Sequence, residues 1–352
     1  MTDSLVPTMT LTPIPLMDLT TGFWRFKVLA AGVDLGLFTL LSRHPDATAA
    51  KVAAQLGLHP RPARMLLSSS TALGLLDKDG DTYRNSPMAE EFLVTGRPAY
   101  FGGFVTYSDV YGYPAWHRLQ EALHTNRPTT WDSAAQESAF VTQDPGILDS
   151  FWKAMFTLSS FTADALAHAH DFARHRRLLD VGGGAGPFPV GLCRAYPHLT
   201  ATVYDLPSVA AMARDRIAEL GMSDAITAVD GDFHADGPLP TGHDVVLLSM
   251  ILHDWDEPAC RRLLHKVWTA LPEGGAVIIC ELVLDDDETG PAPAAMMGIN
   301  MLIETAGGYN YTYAEYRTWL LETGFTDIRT LPLEAAGANA AIVAYKPHPA
   351  EG

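Results

Sequence analysis

The sequence has few cysteines and no long apolar run. Its three cysteines, Cys193, Cys260 and Cys280, are far apart, and none has a partner at metal-ligand spacing. We therefore expect reduced, mostly buried thiols in a cytoplasmic protein rather than a disulfide framework. Because the chain has no run of about 18 apolar residues and no signal-like amino terminus, we expect neither a spanning helix nor secretion.

Positive charge is also scarce. The 352 residues include 24 lysines and arginines against 41 aspartates and glutamates, which gives a net charge of -17. Such a surface repels nucleic-acid phosphates and anionic lipids, so we expect a small-molecule ligand and neither nucleic acid nor membrane as a partner. The other proportions, 47% hydrophobic and 18% charged, are those of a globular protein long enough for about two domains.

Residues 23–93 have the pattern of helices with short breaks. A turn at residues 56–59 separates two helices, and an Asp-Gly turn between short extended pieces follows in DKDGDTYRNS. Helix, turn, helix and hairpin in this order predict a winged-helix arrangement, which serves either DNA binding or dimerisation. The second helix carries little positive charge, only Arg61 and Arg64 near its start, so we favour dimerisation.

Residues 100–170 are again helical but richer in aromatic side chains. Aromatic residues at helical spacing usually belong to a core, but their density here is also enough to line a flat pocket. They include Tyr107, Tyr111, Tyr113, Trp116, Phe151, Trp152 and Phe156.

After Arg177, strands alternate with helices of roughly ten to fifteen residues, which predicts βαβ units and a parallel sheet. Extended runs at 325–334 and 339–347 predict a closing antiparallel hairpin, which is typical of the methyltransferase variant of the Rossmann-like sheet. The expected fold class is α/β. We expect a dimerisation domain over 1–100, a helical, substrate-lining linker over 101–170 and a cofactor-binding domain over 171–352.

The run LLDVGGGAGPFP, residues 178–189, places glycines between the first strand of this sheet and the next helix. Gly182 and Gly184 permit positive φ and let a ligand approach the backbone without a Cβ in the way. A dinucleotide enzyme would use such a loop for pyrophosphate. Asp180 lies beside this loop, however, and its carboxylate would repel a phosphate and attract a cationic amino-acid group.

Two more acidic residues follow the next two strands. Asp205 ends the second strand, where a carboxylate can accept both ribose hydroxyls. The third strand ends in the run GDF, where Asp232 can bind an exocyclic amine and Phe233 can lie against an adenine face. Carboxylates around a glycine loop suit a nucleoside with a positive centre, so we expect S-adenosylmethionine, with S-adenosylhomocysteine as product, rather than NAD.

The run VVLLSMILHDWDE places His253 just past the carboxyl end of the fourth strand, where open α/β sheets bind ligands. A phenol with a pKa of about 10 is a poor nucleophile while protonated, and an imidazole with a pKa of about 6.5 can take its proton during attack. Glu281, at the end of the fifth strand, is placed to orient His253 and stabilise its protonated form. The alternative is a helix start with Asp254 and Asp256 as capping acids.

The motifs DVGGGAG, YDLP, GDF and ILHDWDE, in this order, resemble the plant-type and actinobacterial small-molecule O-methyltransferases, which include caffeate and polyketide-tailoring enzymes. The resemblance covers nearly the whole chain. It implies a homodimer built by the N-terminal helices, a cofactor on the C-terminal sheet and a substrate between the domains. The function expected is methyl transfer to a hydroxyl of a small aromatic metabolite by in-line displacement, with His253 as general base.

The resemblance and the strand-end positions together give a set of expected site residues, and no metal is expected. The catalytic residues are His253, Asp254 and Glu281. The cofactor-binding residues are Asp180, Gly182, Gly184, Asp205, Leu206, Asp232, Phe233, Ser159 and Ser249. The substrate-binding residues are the F-x-x-x-M pair Phe151 and Met155, with Tyr107, Trp152, Asn300, Glu304 and Asn310.

Two positions depart from the family pattern. Ser249 stands where some plant members have a lysine that contacts the cofactor, so we expect that contact to be lost. Asn310 stands at the glutamate of a Gly-Gly-x-Glu-Arg-Thr stretch, and an amide cannot stabilise an imidazolium by charge. General-base catalysis is then weaker, which leaves open an acceptor at S, N or C, in a small acid or α-keto acid.

Two further alternatives remain open. His253, Asp254 and Glu304 could hold a divalent ion, as in metal-using α-keto acid C-methyltransferases of this fold, although a helix carboxylate facing polar groups is the simpler account of Glu304. A winged-helix regulator that binds a small ligand is the more distant alternative.

Overall fold

The computed structural model describes residues 11–132 and 145–348. The chain divides into two compact units, with the boundary between Asp109 and Val110. The predicted three-part division, with boundaries after residues 100 and 170, stays a prediction.

The N-terminal unit is a helix–turn–helix with a three-stranded antiparallel wing, as predicted. Gly36, with φ 69°, separates the helix Gly22–Asp34 from the helix Leu37–Arg43. The hydroxyl of Thr48 caps the first helix of the pair by accepting the Lys51 N–H, and Gly57, with φ 64°, ends it. The elements are α1 (Ile14–Thr20), α2 (Gly22–Asp34), α3 (Leu37–Arg43), β1 (Ala47–Thr48), α4 (Ala49–Leu56), α5 (Pro60–Ala72), β2 (Leu76–Asp79), β3 (Thr82–Asn85), α6 (Pro87–Phe92) and α7 (Gly102–Tyr107).

The second unit is an α/β domain. Its elements are α8 (Tyr113–His117), α9 (Leu119–Thr125), α10 (Pro145–Ala169), β4 (Arg177–Val181), α11 (Pro187–Ala195), β5 (Thr200–Asp205), α12 (Pro207–Glu219), β6 (Ile226–Asp230), β7 (Val245–Ser249), α13 (Glu257–Ala270), β8 (Ala276–Glu281), α14 (Ala292–Glu304), α15 (Tyr313–Thr323), β9 (Thr326–Pro332) and β10 (Ala340–Tyr345).

The seven strands form one sheet in the order β6-β5-β4-β7-β8-β10-β9. The first five are parallel, and β10 is antiparallel to both β8 and β9, so the predicted hairpin-closed sheet is confirmed. The central strands are apolar and buried because helices cover both faces. Leu179 and Val246 belong to one core cluster, and Leu178 and Val245 belong to the other.

Two predicted strands end earlier than expected. β6 ends at Asp230, and GDF forms the loop beyond it, where a Cβ on Gly231 would lie 2.2 Å from the Tyr204 hydroxyl. β7 ends at Ser249 because the next residue, Met250, has φ 54°, which no strand residue adopts. Both changes add loop at the carboxyl edge of the sheet, where the candidate site residues gather.

Candidate active site

The glycine loop between β4 and α11 has the backbone conformation that its sequence predicts. Gly182 and Gly184 have φ of 69° and 57°. A Cβ on Gly182 would lie 2.4 Å from the Ile251 side chain and 3.6 Å from the Phe233 ring. At Gly184 no described atom lies within 4 Å of the Cβ position, so the backbone there is open to a ligand.

Asp205 holds this loop at the end of β5. One carboxylate oxygen accepts the Gly184 N–H at 2.9 Å, and the other accepts the Leu206 N–H at 2.7 Å. Burial raises the pKa of Asp205. Each oxygen keeps a second lone pair, so the same carboxylate can still accept a ligand hydroxyl.

Asp180 is only 1% exposed, and its Oδ2 has no hydrogen-bond partner. Burial, together with nearby Asp205, raises the pKa of Asp180 to about 8. The hydroxyl of Ser249 is likewise buried without a partner, and Ser159 is buried on α10. A ligand bound beside the glycine loop could supply the partner that these two buried polar atoms lack.

The loop after β6 carries an aromatic cluster. The Phe233 ring lies edge-on to Trp255, at 5.9 Å between centroids, and His234 contacts Trp255 at 3.9 Å. Asp232 is exposed and its carboxylate accepts the His234 N–H at 2.7 Å, while Lys266 donates to the Phe233 carbonyl at 2.9 Å. Trp255 was not among the predicted site residues, although its place in the motif ILHDWDE, two residues after His253, was a signal.

His253 and Glu281 form a buried pair. Nδ1 of His253 donates to Glu281 Oε2 at 2.6 Å, while Oε1 accepts the N–H groups of Ile251 and Leu252 at 2.9 and 3.0 Å. Glu281 is fully buried and His253 is 5% exposed. The carboxylate therefore fixes both the imidazole and the turn that carries it, and leaves Nε2 as the basic nitrogen.

The charges around His253 determine its protonation. Burial alone would lower the pKa of His253, but the carboxylates of Glu281, Asp254 and Glu304 raise it to about 9. Asp254 Oδ1 lies 3.5 Å from Nε2. Desolvation raises the pKa of Asp254 to about 6, so this carboxylate is still largely ionised at neutral pH.

The segment that precedes α15 donates hydrogen bonds to the backbone of the turn that carries His253. The Tyr309 N–H donates to the His253 carbonyl at 2.8 Å, and the Tyr311 hydroxyl donates to the Trp255 carbonyl at 2.7 Å. A Cβ on Gly308 would lie 2.5 Å from the His253 carbonyl oxygen, so glycine is needed for this close approach.

Asn310 is 1% exposed and donates its amide to the Leu282 carbonyl rather than to the imidazole. Its carbonyl oxygen has no partner. The Nδ1–H of His253 donates its hydrogen bond to Glu281, so the structure gives Asn310 no direct part in supporting the imidazole.

Glu304 ends α14, which packs against the 252–254 turn. Burial, with Asp254 as a second cause, raises the pKa of Glu304 to about 7. Asn300, one turn earlier, accepts the Trp116 Nε1–H at 3.1 Å. In the described ranges 11–132 and 145–348, no group of three or more His, Cys, Asp and Glu side chains is arranged to hold a metal. The role of Glu304 stays a prediction.

The other predicted substrate residues lie mainly on α10. Phe151 and Trp152 are partly buried and contact each other edge-on, with 5.6 Å between ring centroids, and Met155 follows one turn later, also partly buried. Tyr107 is buried in the N-terminal unit. The roles of these residues stay predictions.

Comparison with known proteins identifies relatives along nearly the whole chain. An O-methyltransferase domain matches residues 116–326, and an O-methyltransferase dimerisation domain matches residues 17–95. The chain is 46% identical to 3-hydroxy-5-methyl-1-naphthoate 3-O-methyltransferase of Streptomyces sahachiroi, over 95% of each chain. It is 34% identical to the tetracenomycin polyketide synthesis 8-O-methyl transferase TcmO of Streptomyces glaucescens, over 95% of this chain and 97% of that one.

A solved structure also matches nearly the whole chain. Human N-acetylserotonin methyltransferase in complex with SAM superposes with a TM-score of 0.84 and 29% identity, over 97% of this chain and 99% of that one.

Cys193, Cys260 and Cys280 are free and buried, as predicted. No helix in the part of the chain that the structure describes has the length and hydropathy needed to cross a membrane.

Proposed function

Because the chain belongs to the O-methyltransferase family, whose members use S-adenosylmethionine, we propose that it methylates a hydroxyl of a small aromatic metabolite. The observation that carries this proposal is a contact between two loops. Ile251 covers Gly182 of the glycine loop, and two residues later His253 is paired with Glu281. A proton acceptor therefore lies beside the loop proposed to hold the methyl donor. The naphthoate relative supports an aromatic acceptor.

The residues around the glycine loop fit S-adenosylmethionine. The backbone at Gly184 is open, and Asp205 retains lone pairs for ribose hydroxyls. The unpartnered Oδ2 of Asp180 is an acceptor for the ammonium group, and Phe233 with Trp255 offers aromatic faces to the adenine. When bound, the cofactor supplies an electrophilic methyl group on a sulfonium.

His253 is the base in this proposal. Its Nδ1–H is committed to Glu281, so Nε2 takes the proton of the acceptor hydroxyl as the hydroxyl oxygen attacks. The charge of Glu281 stabilises the resulting imidazolium, and Asp254, near Nε2, adds to this effect. Since His253 and Glu281 are buried, little water is available to compete for the proton.

We also propose a cytoplasmic homodimer without a nucleic-acid partner. The matched dimerisation domain, residues 17–95, contains apolar side chains that are exposed in the single chain, among them Leu19 at 79% and Trp24 at 60%. Three free thiols favour a reducing compartment.

The test is to incubate purified protein with isotope-labelled S-adenosylmethionine and a panel of phenols, thioethers, amines and α-keto acids, and to locate the label by NMR. Label on a phenolic oxygen, at a rate insensitive to chelators, is the expected result. Label on sulfur, nitrogen or carbon with phenols untouched, or turnover lost on chelation, contradicts the proposal.

A further inference from the structure

The strand pairing between β8 and β10 ends at the residue that supports the base. Glu281, the last residue of β8, is paired with Ala340, the first residue of β10. The chain stays in the interior beyond this pair, since Val283 is fully buried. The backbone N–H and carbonyl of Val283 therefore need partners that lie outside β10.

Asn339, directly before β10, supplies these partners. Its side-chain carbonyl accepts the Val283 N–H at 2.7 Å, and its side-chain amide donates to the Val283 carbonyl at 3.0 Å. Its backbone N–H donates to the Glu281 carbonyl at 3.1 Å. Asn339 thus bonds both ends of the segment 281–283, and its side chain takes the place of one further strand residue.

Asn339 belongs to a loop, residues 333–339, that is itself fixed. Its carbonyl accepts the Leu333 N–H at 2.8 Å, which closes the hairpin between β9 and β10. A Cβ on Gly337 would lie 3.1 Å from the Met250 sulfur, so the loop packs closely against this side chain. Because Met250 directly precedes the turn that carries the base, the loop is anchored beside both halves of the buried pair.

The position of the Glu281 carboxylate is tightly constrained. It accepts three hydrogen bonds of 2.6 to 3.0 Å, one from Nδ1 of His253 and two from backbone N–H groups of the turn before it. Hydrogen bonds weaken steeply as their angles depart from linearity, so a shift of the backbone at the end of β8 would weaken all three together. A residue that fixes the end of β8 therefore also fixes the imidazole.

We infer that Asn339 is a positioning residue for the base: by bonding the chain at Glu281 and Val283, it holds the Glu281 carboxylate where this group orients His253 and stabilises the imidazolium. This inference rests on the proposed function, in which His253 takes the proton of the acceptor hydroxyl. The β9–β10 hairpin thus takes part in the reaction, although it lies far from the motifs in sequence.

The experiment measures kcat, KM and the pH profile of kcat/KM with a phenol acceptor, below the melting temperature of each variant. The variants are Asn339→Ala and Asn339→Leu, which both remove the hydrogen bonds to Val283; the leucine also keeps the volume of the side chain. We expect kcat about 10- to 100-fold below the wild type and KM within about twofold, because the base is misplaced and acceptor binding is not.

The acid limb of the pH profile should move to lower pH in both variants, since a displaced carboxylate stabilises the imidazolium of His253 less. A loss of stability alone would not move it. The carboxylates that act on His253 are unchanged in both variants; they are those of Glu281, Asp254 and Glu304.

A double variant separates positioning from a general effect on the fold. If Asn339 acts through Glu281, Asn339→Ala should slow the wild type by the factor given above and slow the Glu281→Gln enzyme by less than about twofold. A change that only loosens the fold slows both enzymes equally.

Asp244→Ala is the matched control at the opposite edge of the same sheet. The Asp244 carboxylate accepts the backbone N–H of Arg176 at 2.8 Å and that of Arg177 at 2.9 Å, so it too extends strand pairing with a side chain. This variant should also lower the melting temperature, but it should leave kcat and the acid limb at the wild-type values.

Wild-type kcat and an unmoved acid limb in both Asn339 variants, with the limb moved in Glu281→Gln, overturn this inference alone. So does an equal loss of rate from Asn339→Ala in the wild type and in Glu281→Gln. Failure of every phenol to be methylated overturns the proposed function as well.

Discussion

The change Glu281→Gln tests the buried pair most fully, because it keeps the shape of the side chain and removes its charge. With the carboxylate present, the pKa of His253 is about 9. At pH 7 about one His253 in a hundred is then unprotonated, and kcat/KM should rise about tenfold per pH unit up to about pH 9. Without the charge of Glu281, which raises the pKa of His253 most, burial opposes the protonated imidazole more strongly and the pKa of His253 should fall.

The acid limb of the variant's pH profile should therefore move to lower pH, and its plateau should be roughly 10²-fold below that of the wild type, because a weaker and less well-oriented base remains. The two enzymes should then differ most above about pH 9, where His253 of the wild type is unprotonated. The assay is steady-state kcat/KM at constant ionic strength, repeated with an electron-poor phenol of lower pKa. An acid limb of the pH profile that moves with the pKa of the phenol would refute His253 as the base. So would an acid limb that stays near pH 9 in Glu281→Gln, because Glu281 would then not be paired with the base.

Two other predictions concern cofactor binding and stability. Gly182→Ala should weaken S-adenosylhomocysteine binding in calorimetry, because its Cβ would lie 2.4 Å from Ile251; Gly221→Ala, with φ 66° and an empty Cβ position, should cost only strain of about 1–3 kcal/mol. Equal affinity in both variants would contradict this. Nε2 of His170 lies 3.2 Å from that of His175, and burial lowers the pKa of His170 to about 4 and also lowers that of His175. The unfolded chain then binds more protons, so the free energy of unfolding should fall below about pH 6.5, by up to about 1.4 kcal/mol per pH unit for each histidine. Urea titrations should show a shallower fall for His170→Gln, and an equal fall would count against the pair.

The fold was predictable because its signals are local and periodic. Buried strands alternating with helices, and glycines where φ must be positive, specify the sheet and its loop without knowledge of distant contacts. Strand ends were less predictable. β7 ends before Met250 because Met250 has a positive φ, which its residue type does not require. The path of the chain after β6 depends on Gly231, which packs against Tyr204.

The site was predictable where strand ends place side chains at one edge of the sheet. Glu281 ends one of two neighbouring parallel strands and His253 follows the other, so their meeting follows from topology. Asn310 could not be anticipated in the same way, because its amide is used by the Leu282 carbonyl, a contact between segments that no periodicity relates. Trp255 was overlooked for a different reason, since aromatic side chains near a motif usually belong to the core.

The most direct measurement is the single-turnover rate of methyl transfer by His253→Ala at saturating S-adenosylmethionine, with cofactor affinity measured by calorimetry on the same sample. A general base at His253 predicts a rate roughly 10²- to 10⁴-fold below the wild type with cofactor affinity unchanged. An undiminished rate would contradict it.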